Sequence, residues 1–479
     1  MSFLKFLKKI VVSEKAKYLF PIYLYLIIEY FLTLDIPFFW DALSKFWRAN
    51  WIFENNFSSF IVPSTMNSGH PPLWITSLAL IWKIFGRSLW VSRLLLLLVT
   101  MGVFYQLFIL AKSLFAKNVS MLLFFFICLE PTLLAQTTSL NNDMLLLFFT
   151  LLGCNAILKN KSLLLAIALA GALLTNLRGV YIFFALGICH WVLYRNHYIK
   201  SSKTQLFAYV SGLITFLLFA IYQYHEIGWA IITKQTNFAK HREVATFQSI
   251  AKNVLVYIKF YLDFGRVFII VPLSILLLKY RKQAIRFNGE THKTFLMLIV
   301  FVIVFFFGIV PFSNPAGPRY LMIAYILAMI LFVNLFYDEK NQINIKKWLI
   351  PVVSIGLISG HFWIYPPKIA QAWDSSFAHL NYFSIEKKML KYIDNHNIPK
   401  GQIGTYVRIN TTENTALENS ANFSYFPYPD INKDKYIIMS NIENTMTDET
   451  LDIIFKTWSL KQEYSQLGVF IALYENPNL

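Results

Sequence analysis

Charge is scarce in this chain. Only 14% of its 479 residues are Asp, Glu, Lys or Arg, where a soluble protein of this length carries about 25%. With 56% hydrophobic residues and a mean hydropathy of +0.50, the shortfall excludes a large soluble protein. Runs such as Leu94–Leu110 and Phe295–Val310 hold no acid or base at all, which suits a bilayer as solvent. Cysteine is rarer still: Cys128, Cys154 and Cys189 all fall inside apolar runs. They read as packing or lipid-facing groups, so neither a disulfide framework nor a cysteine metal site is implied. There is no internal repeat, no low-complexity tract and no GxxxxGK phosphate loop. Nor is a cleavable signal evident, because the first apolar run follows a long basic segment without a small-residue cleavage site. That run is expected to stay as an anchor.

What remains is a polytopic pattern. Hydrophobic spans are predicted near Tyr18–Leu34, Leu89–Ala111, Val119–Ala135, Asp143–Leu158, Leu163–Leu174, Gly179–Tyr194, Leu206–His225, Phe264–Leu278, Thr294–Val310, Tyr320–Tyr337 and Trp348–Tyr365. This makes an all-α membrane protein of about eleven crossings, some shorter than the usual ~20 residues. The net charge of +17 follows topology rather than a nucleic-acid partner. With the amino terminus inside, alternate loops carry the basic clusters. These are Lys5/Lys8/Lys9/Lys15/Lys17, Lys112/Lys117, Lys159/Lys161, Arg195/Lys200/Lys203, Lys279/Arg281/Lys282/Arg286/Lys293 and Lys340/Lys346/Lys347. Such a bias is an orientation signal. To keep it, Trp74–Phe85 must be a short helix lying in or dipping into the outer interface, with Trp74, Trp82 and Lys83 as its amphipathic residues.

The chain changes character after Tyr365-Pro366-Pro367. Residues 366–479 carry a net −3, against +20 for what precedes them. Strand-like runs (Gln402–Ile409, Tyr436–Met439, Val469–Tyr474) alternate there with helical ones (Ile385–Asn395, Asp448–Trp458), predicting a small α/β domain outside the cytoplasm. Residues 1–365 then form the membrane part, with a first outer loop at 35–73. The tail shows no paired acids, and an accessory role is the expectation.

Chemistry is therefore sought in the outer loops. The first carries Asp35, Asp41, Glu54 and His70 among Phe38, Phe39, Trp40, Trp47 and Trp51, and should fold as interfacial helices, since tryptophans favour the headgroup zone. Each acid is either a solvated loop charge or a functional group. Asp143 opens an apolar run in Ser139-Leu140-Asn141-Asn142-Asp143; there a carboxylate is costly and functional, or else caps the helix. Arg178 and Arg319, at outer span ends, either bind a phosphate through paired bonds or snorkel to headgroups. Acids for proton transfer beside bases for a phosphate suit a membrane-borne phosphate ester.

The ordered set resembles a known family. An acid in the first outer loop, His70-Pro71-Pro72-Leu73 before a short helix, a second acid in Thr137-Thr138-Ser139-Leu140-Asn141-Asn142-Asp143, and then Pro318-Arg319-Tyr320 are similar to the GT-C glycosyltransferases. The branch is that of bacterial enzymes related to protein O-mannosyltransferases and the lipid A aminoarabinose transferase. The likeness runs over most of Tyr18–Tyr337. It implies Asp41 as the first-loop acid, with Asp35 as second candidate, and Asp143 as the other acid. His70 would face the lipid phosphate or sugar, and Arg319, beside Tyr320 and Arg178, would hold the phosphate. Family members commonly carry Asp-Glu at the first site and often Glu before His-Pro-Pro; this chain has Asp41-Ala42 and Gly69-His70.

The implied reaction moves a sugar from a polyprenyl-phosphate donor to a lipid, glycan or protein acceptor at the outer face of a bacterial cytoplasmic (inner) membrane. It inverts the sugar carbon, with an Asp as general base, and a divalent cation (Mg or Mn) is left open. A transporter or flippase of lipid-linked sugars is the competing class. Against it, the acids gather at one face, and no glycine/proline-broken pair of spans occupies matching halves.

Overall fold

The computed structural model describes residues 14–233, 239–279, 289–314, 316–337, 346–407 and 426–479. The bases at Lys5, Lys8, Lys9, Arg281, Lys282, Arg286 and Lys340, and the expected strand end at Arg408–Ile409, lie outside those residues. In lipid the backbone must satisfy its own polar groups, and the apolar runs are accordingly helical. In order they are α1 (Glu14–Leu32), α2 (Asp41–Glu54), α3 (Leu73–Phe85), α4 (Leu89–Leu114), α5 (Phe124–Ile127), α6 (Pro131–Gln136), α7 (Asp143–Leu158), α8 (Ser162–Thr175), α9 (Gly179–Arg195), α10 (Lys203–Ile227), α11 (Phe247–Leu262), α12 (Val267–Lys279), α13 (Gly289–Ile309), α14 (Met322–Phe336) and α15 (Lys346–Ser359).

By length and composition, four stretches can cross a membrane: α4, α10, α13 and Pro318–Phe336. Taken as one span, α11 and α12 add a fifth. Other apolar helices, α3, α7, α8, α9 and Trp348–Phe362, are shorter, at 10–17 residues. Large apolar side chains such as Phe20, Leu163, Phe184, Trp191, Leu206 and Ile221 stand exposed on outward faces, where lipid is their solvent. By contrast α14 is buried at every residue from Met322 to Phe336, making it the central helix.

Two expected elements come out differently. Val119–Ala135 is not one helix but a 3-10 turn at Met121–Leu123 followed by α5 and α6. Pro131 has no N–H to continue the ladder, and the Glu130 carboxylate accepts from the Leu133 N–H at 2.5 Å, starting α6 afresh. Glu130 is in turn paired with Arg266 at 2.7 Å, both side chains buried. Arg266 belongs to the second departure: α11 and α12 meet at 97°. The bend turns through Phe264 (φ 52°) and Gly265 (φ 80°). Any Cβ on Gly265 would collide with the Gly356 carbonyl, so only glycine fits. Lys252 and Lys259 interrupt the apolar run of α11, so hydrophobic length alone does not mark it as a span. The interfacial helix expected at Trp74–Phe85 is the 13-residue α3, buried through Trp74, Leu78, Ala79 and Trp82.

The C-terminal part adds α16 (Leu380–Asn395), β1 (Ile403–Thr405), β2 (Tyr436–Ser440), α17 (Asp448–Thr457), β3 (Ser459–Gln466) and β4 (Val469–Glu475). Its four-stranded sheet has the order β1-β2-β4-β3, with β1 parallel to β2 and the other pairs antiparallel. Expectation missed β3, whose Ser-Leu-Lys-Gln-Glu-Tyr-Ser-Gln is too polar to read as a strand. It is an exposed edge strand, where charge guards against further pairing. Leu467 (φ 47°) and Gly468 (φ 83°) make the two-residue turn into β4. Phe39, from the first loop, is part of this domain's core with Trp373, Tyr382, Phe383 and Ile471. The tail is thus docked against residues 35–73.

Candidate active site

Asp41 opens α2, and the i, i+4, i+7 spacing places Lys45 and Arg48 on the same helix face. Trp40, just before it, sits at φ 45° and ψ −127°, a conformation that costs a non-glycine residue about 1–3 kcal/mol. Its ring packs on Phe39 (4.9 Å between centroids) and near His379 (6.4 Å). Arg93 secures the two approaches to the site. Its guanidinium donates to the Ile36 carbonyl (Nε, 3.1 Å), to Thr33 Oγ1 and to the Thr138 carbonyl (both 3.3 Å), tying the segment that leads to Asp41 to the one that leads to Asp143.

Arg319 is the centre. Its Nη2 pairs with Asp41, its Nη1 with Asp374, and its Nε lies 3.3 Å from Asp143 Oδ2. The other Asp143 oxygen accepts from Arg178 at 2.6 Å, and the Arg178 guanidinium stacks 3.8 Å from the Tyr320 ring centroid. Asp143 is 1% exposed and Asp41 57%. One carboxylate is therefore locked inside, and the other faces open space. Desolvation opposes the Asp41 charge, but Arg319, Lys45 and Arg178 outweigh it and hold the carboxyl below its usual range. Asp374 goes the other way, raised by burial and by the Asp143 and Asp41 charges against the pull of Arg319.

A second group of charges lies beside this one. Lys45 and Arg48 are 8% and 4% exposed. Burial draws Lys45 down to about 8, with Asp41 opposing, and Arg48 down to about 10. Arg48 donates to Ser68 Oγ at 2.5 Å and to the Ser44 carbonyl and hydroxyl. Arg242 donates to the Ile231 and Ser68 carbonyls. A Cβ on Gly69 (φ 77°) would stand only 2.8 Å from the Arg242 nitrogens, so the glycine before His70 makes room for that guanidinium. Among the described residues none of Lys45, Arg48 and Arg242 forms an ion pair. Burial and the charges of Lys45, Arg48, Arg242 and Arg178 push His70 well below its ordinary value, leaving it neutral. Its Nδ1 is buried and finds no partner among the described residues. Lys45 and Arg48 are buried and Arg242 half-buried, with the Asp41 carboxylate as the charge that faces the first two. Buried cations are costly unless balanced, and an anion seated among the three would complete the balance.

Of the residues expected from sequence, Asp41, Asp143, Arg178, Arg319 and Tyr320 stand together, with His70 next to them. Asp35 does not join: it is exposed on the turn after α1, and no ion pair reaches it among the described residues. Arg319 and Arg178, expected on the phosphate, are turned to carboxylates instead. Lys45, Arg48, Arg242 and Asp374 were missed. The Asp41-Lys45-Arg48 spacing was a usable signal; Arg242 and Asp374 reach the site only through tertiary folding. The tail, expected to be accessory, supplies Asp374. Among the described residues no three His, Cys, Asp or Glu side chains are arranged to hold a metal ion. The three acids present converge on Arg319.

Comparison with known structures finds ArnT from Cupriavidus metallidurans bound to undecaprenyl phosphate, at 11% identity and TM-score 0.49 over 96% of this chain and 98% of that one. The apo form of the same protein gives 12% and 0.48, over 93% and 96%. No curated protein sequence matches. Residues 69–222 match the family model described as dolichyl-phosphate-mannose-protein mannosyltransferase. The resemblance carried by the motifs is thereby shown for the stretch that holds His70, Asp143 and Arg178.

Proposed function

We propose that the chain is a multi-pass membrane glycosyltransferase that moves a sugar from a polyprenyl-phosphate donor onto an acceptor hydroxyl at the extracytoplasmic face. The observation that carries the reading is the cradle of Lys45, Arg48 and Arg242, none of them in an ion pair among the described residues, around a neutral His70 and next to the open carboxylate of Asp41. The cradle takes the donor phosphate. Charge that collects on it as the sugar leaves meets donors already in place, which is the strongest single source of rate enhancement available to such a site.

In the transfer, the acceptor oxygen attacks the anomeric carbon from the face opposite the phosphate. The carbon–oxygen bond to phosphate breaks, and its electron pair leaves on the phosphate oxygen. The acceptor proton passes to Asp41. A single displacement inverts the sugar carbon. Asp143, enclosed by Arg178 and Arg319, holds the two arginines in register instead of receiving the proton. The tail lies on the same outer side as the loop it packs against.

The test is sugar transfer from a polyprenyl-phosphate-sugar donor in detergent, comparing the wild type with Asp41→Asn. A base of this kind contributes ~10²–10⁴-fold, and transfer that survives Asp41→Asn undiminished refutes the assignment.

A further inference from the structure

We propose that Asp374, delivered by the C-terminal part of the chain, is a positioning residue of this site: it occupies one arm of Arg319, so that Asp41 is held by one oxygen and keeps the other for the acceptor proton. The inference deepens the reading above and rests on it.

Three observations lead there. First, the Arg319 guanidinium is divided among three carboxylates, with Nη1 on Asp374, Nη2 on Asp41 Oδ2 and Nε facing Asp143. An arginine left with one open carboxylate closes on it with two parallel bonds. Division prevents this at Asp41. Second, Asp374 is not a chance surface partner. It is 8% exposed, and its segment is strapped to the membrane part. Gln136 Nε2 donates to the Asp374 carbonyl at 2.8 Å, Thr132 Oγ1 to the Ser375 carbonyl at 3.3 Å, and the Phe377 N–H to His361 Nδ1 at 3.1 Å. His379 Nε2 meets Thr138 Oγ1 at 3.3 Å, while its Nδ1 meets the Ser376 carbonyl at 2.7 Å. The backbone at 374–379 is thus fixed on the same α6 region that leads to Asp143. Third, an Nη1 stripped of Asp374 would be a largely buried donor lacking its partner, an arrangement that proteins avoid. The second oxygen of Asp41, whose first already sits on Nη2, is an acceptor open to it. Removing Asp374 therefore closes Arg319 onto the base.

The expected signature separates turnover from donor binding, because the phosphate cradle does not include Asp374. With a polyprenyl-phosphate-sugar donor, Asp374→Ala should lower kcat by about tenfold or more, a fraction of what the base supplies, and leave the donor KM unchanged. Asp374→Glu should recover part of the loss. A kcat for Asp374→Ala within twofold of wild type overturns the proposal. So does a joint loss of kcat, donor affinity and melting temperature that Asp374→Glu does not relieve, since that is what mere docking of the tail would give. Asp41→Asn is run alongside. If it retains activity, the functional reading itself fails; if it is inactive while Asp374→Ala is unaffected, only the positioning role falls.

Discussion

Asp41 and Asp143, far apart in the chain, meet on one guanidinium, that of Arg319, yet Asp41 opens to solvent while Asp143 is buried and held by Arg178 as well. Their substitutions should diverge accordingly. Asp41→Asn should lose at least ~10²-fold in turnover with little change in melting temperature. Asp143→Asn leaves Arg178 and Arg319 short of a buried counter-charge, and should lose stability as well, by about 3 kcal/mol. Sugar transfer and thermal unfolding measured on both variants check this.

The cradle predicts a different kinetic change. Lys45→Met, Arg48→Met and Arg242→Met should each raise the donor KM by about tenfold, the scale of one charge-assisted contact. Arg319→Lys should instead lower kcat, because its partners are carboxylates. Donor-concentration dependence at equal protein amount separates the two; a raised KM for Arg319→Lys alone would return the phosphate to that residue.

Lys45 also sets a pH limit. Burial draws it down to about 8, so the free enzyme loses this cradle charge as pH rises through that value. Donor kcat/KM should fall above pH about 8, and the fall should vanish in Lys45→Arg. The sign for stability is opposite. Between about 8 and the ordinary lysine value the unfolded chain binds the extra proton, so the ligand-free protein should gain stability as pH rises through that window. Rate–pH profiles and melting curves over the same range test both signs.

Orientation is testable with labels. The three native cysteines are buried, and a Cβ at exposed Gly401 meets nothing within 4 Å, so Gly401→Cys suits an impermeant thiol reagent. It should react from outside, while Lys282→Cys should react only after permeabilisation. The reverse pattern would put the tail and the cradle on the cytoplasmic side.

How much of this was legible follows from what kind of signal each residue gives. Asp143 and Arg319 announce themselves, because a charge beside an apolar run is expensive and must have a partner. Lys45 and Arg48 were hidden by their neighbourhood, since bases in a loop rich in tryptophan pass for headgroup contacts; only the helical spacing from Asp41 marks them. Asp374 stands in Trp373-Asp374-Ser375 with no local pattern, and it reaches Arg319 only once Gln136 has bound its carbonyl and Thr132 that of Ser375. Among the elements, hydrophobic length located most of the apolar helices. It could not show that Pro131 interrupts one of them, or that β3, nearly all polar, pairs with β4 through its backbone ladder, with Lys461 on Glu475 beside it.

The backbone at Trp40 has a consequence of its own. A glycine there would adopt φ 45° without penalty and relax the entry to α2, yet the position carries a large ring clustered with Phe39 and His379. The cluster fixes the direction in which the first residue of α2 points, and through His379 it feels whether the C-terminal segment is seated. Aim at Asp41 is thus coupled to closure of the tail, and an enzyme whose tail lifts away should lose its accuracy of attack before it loses its hold on the lipid.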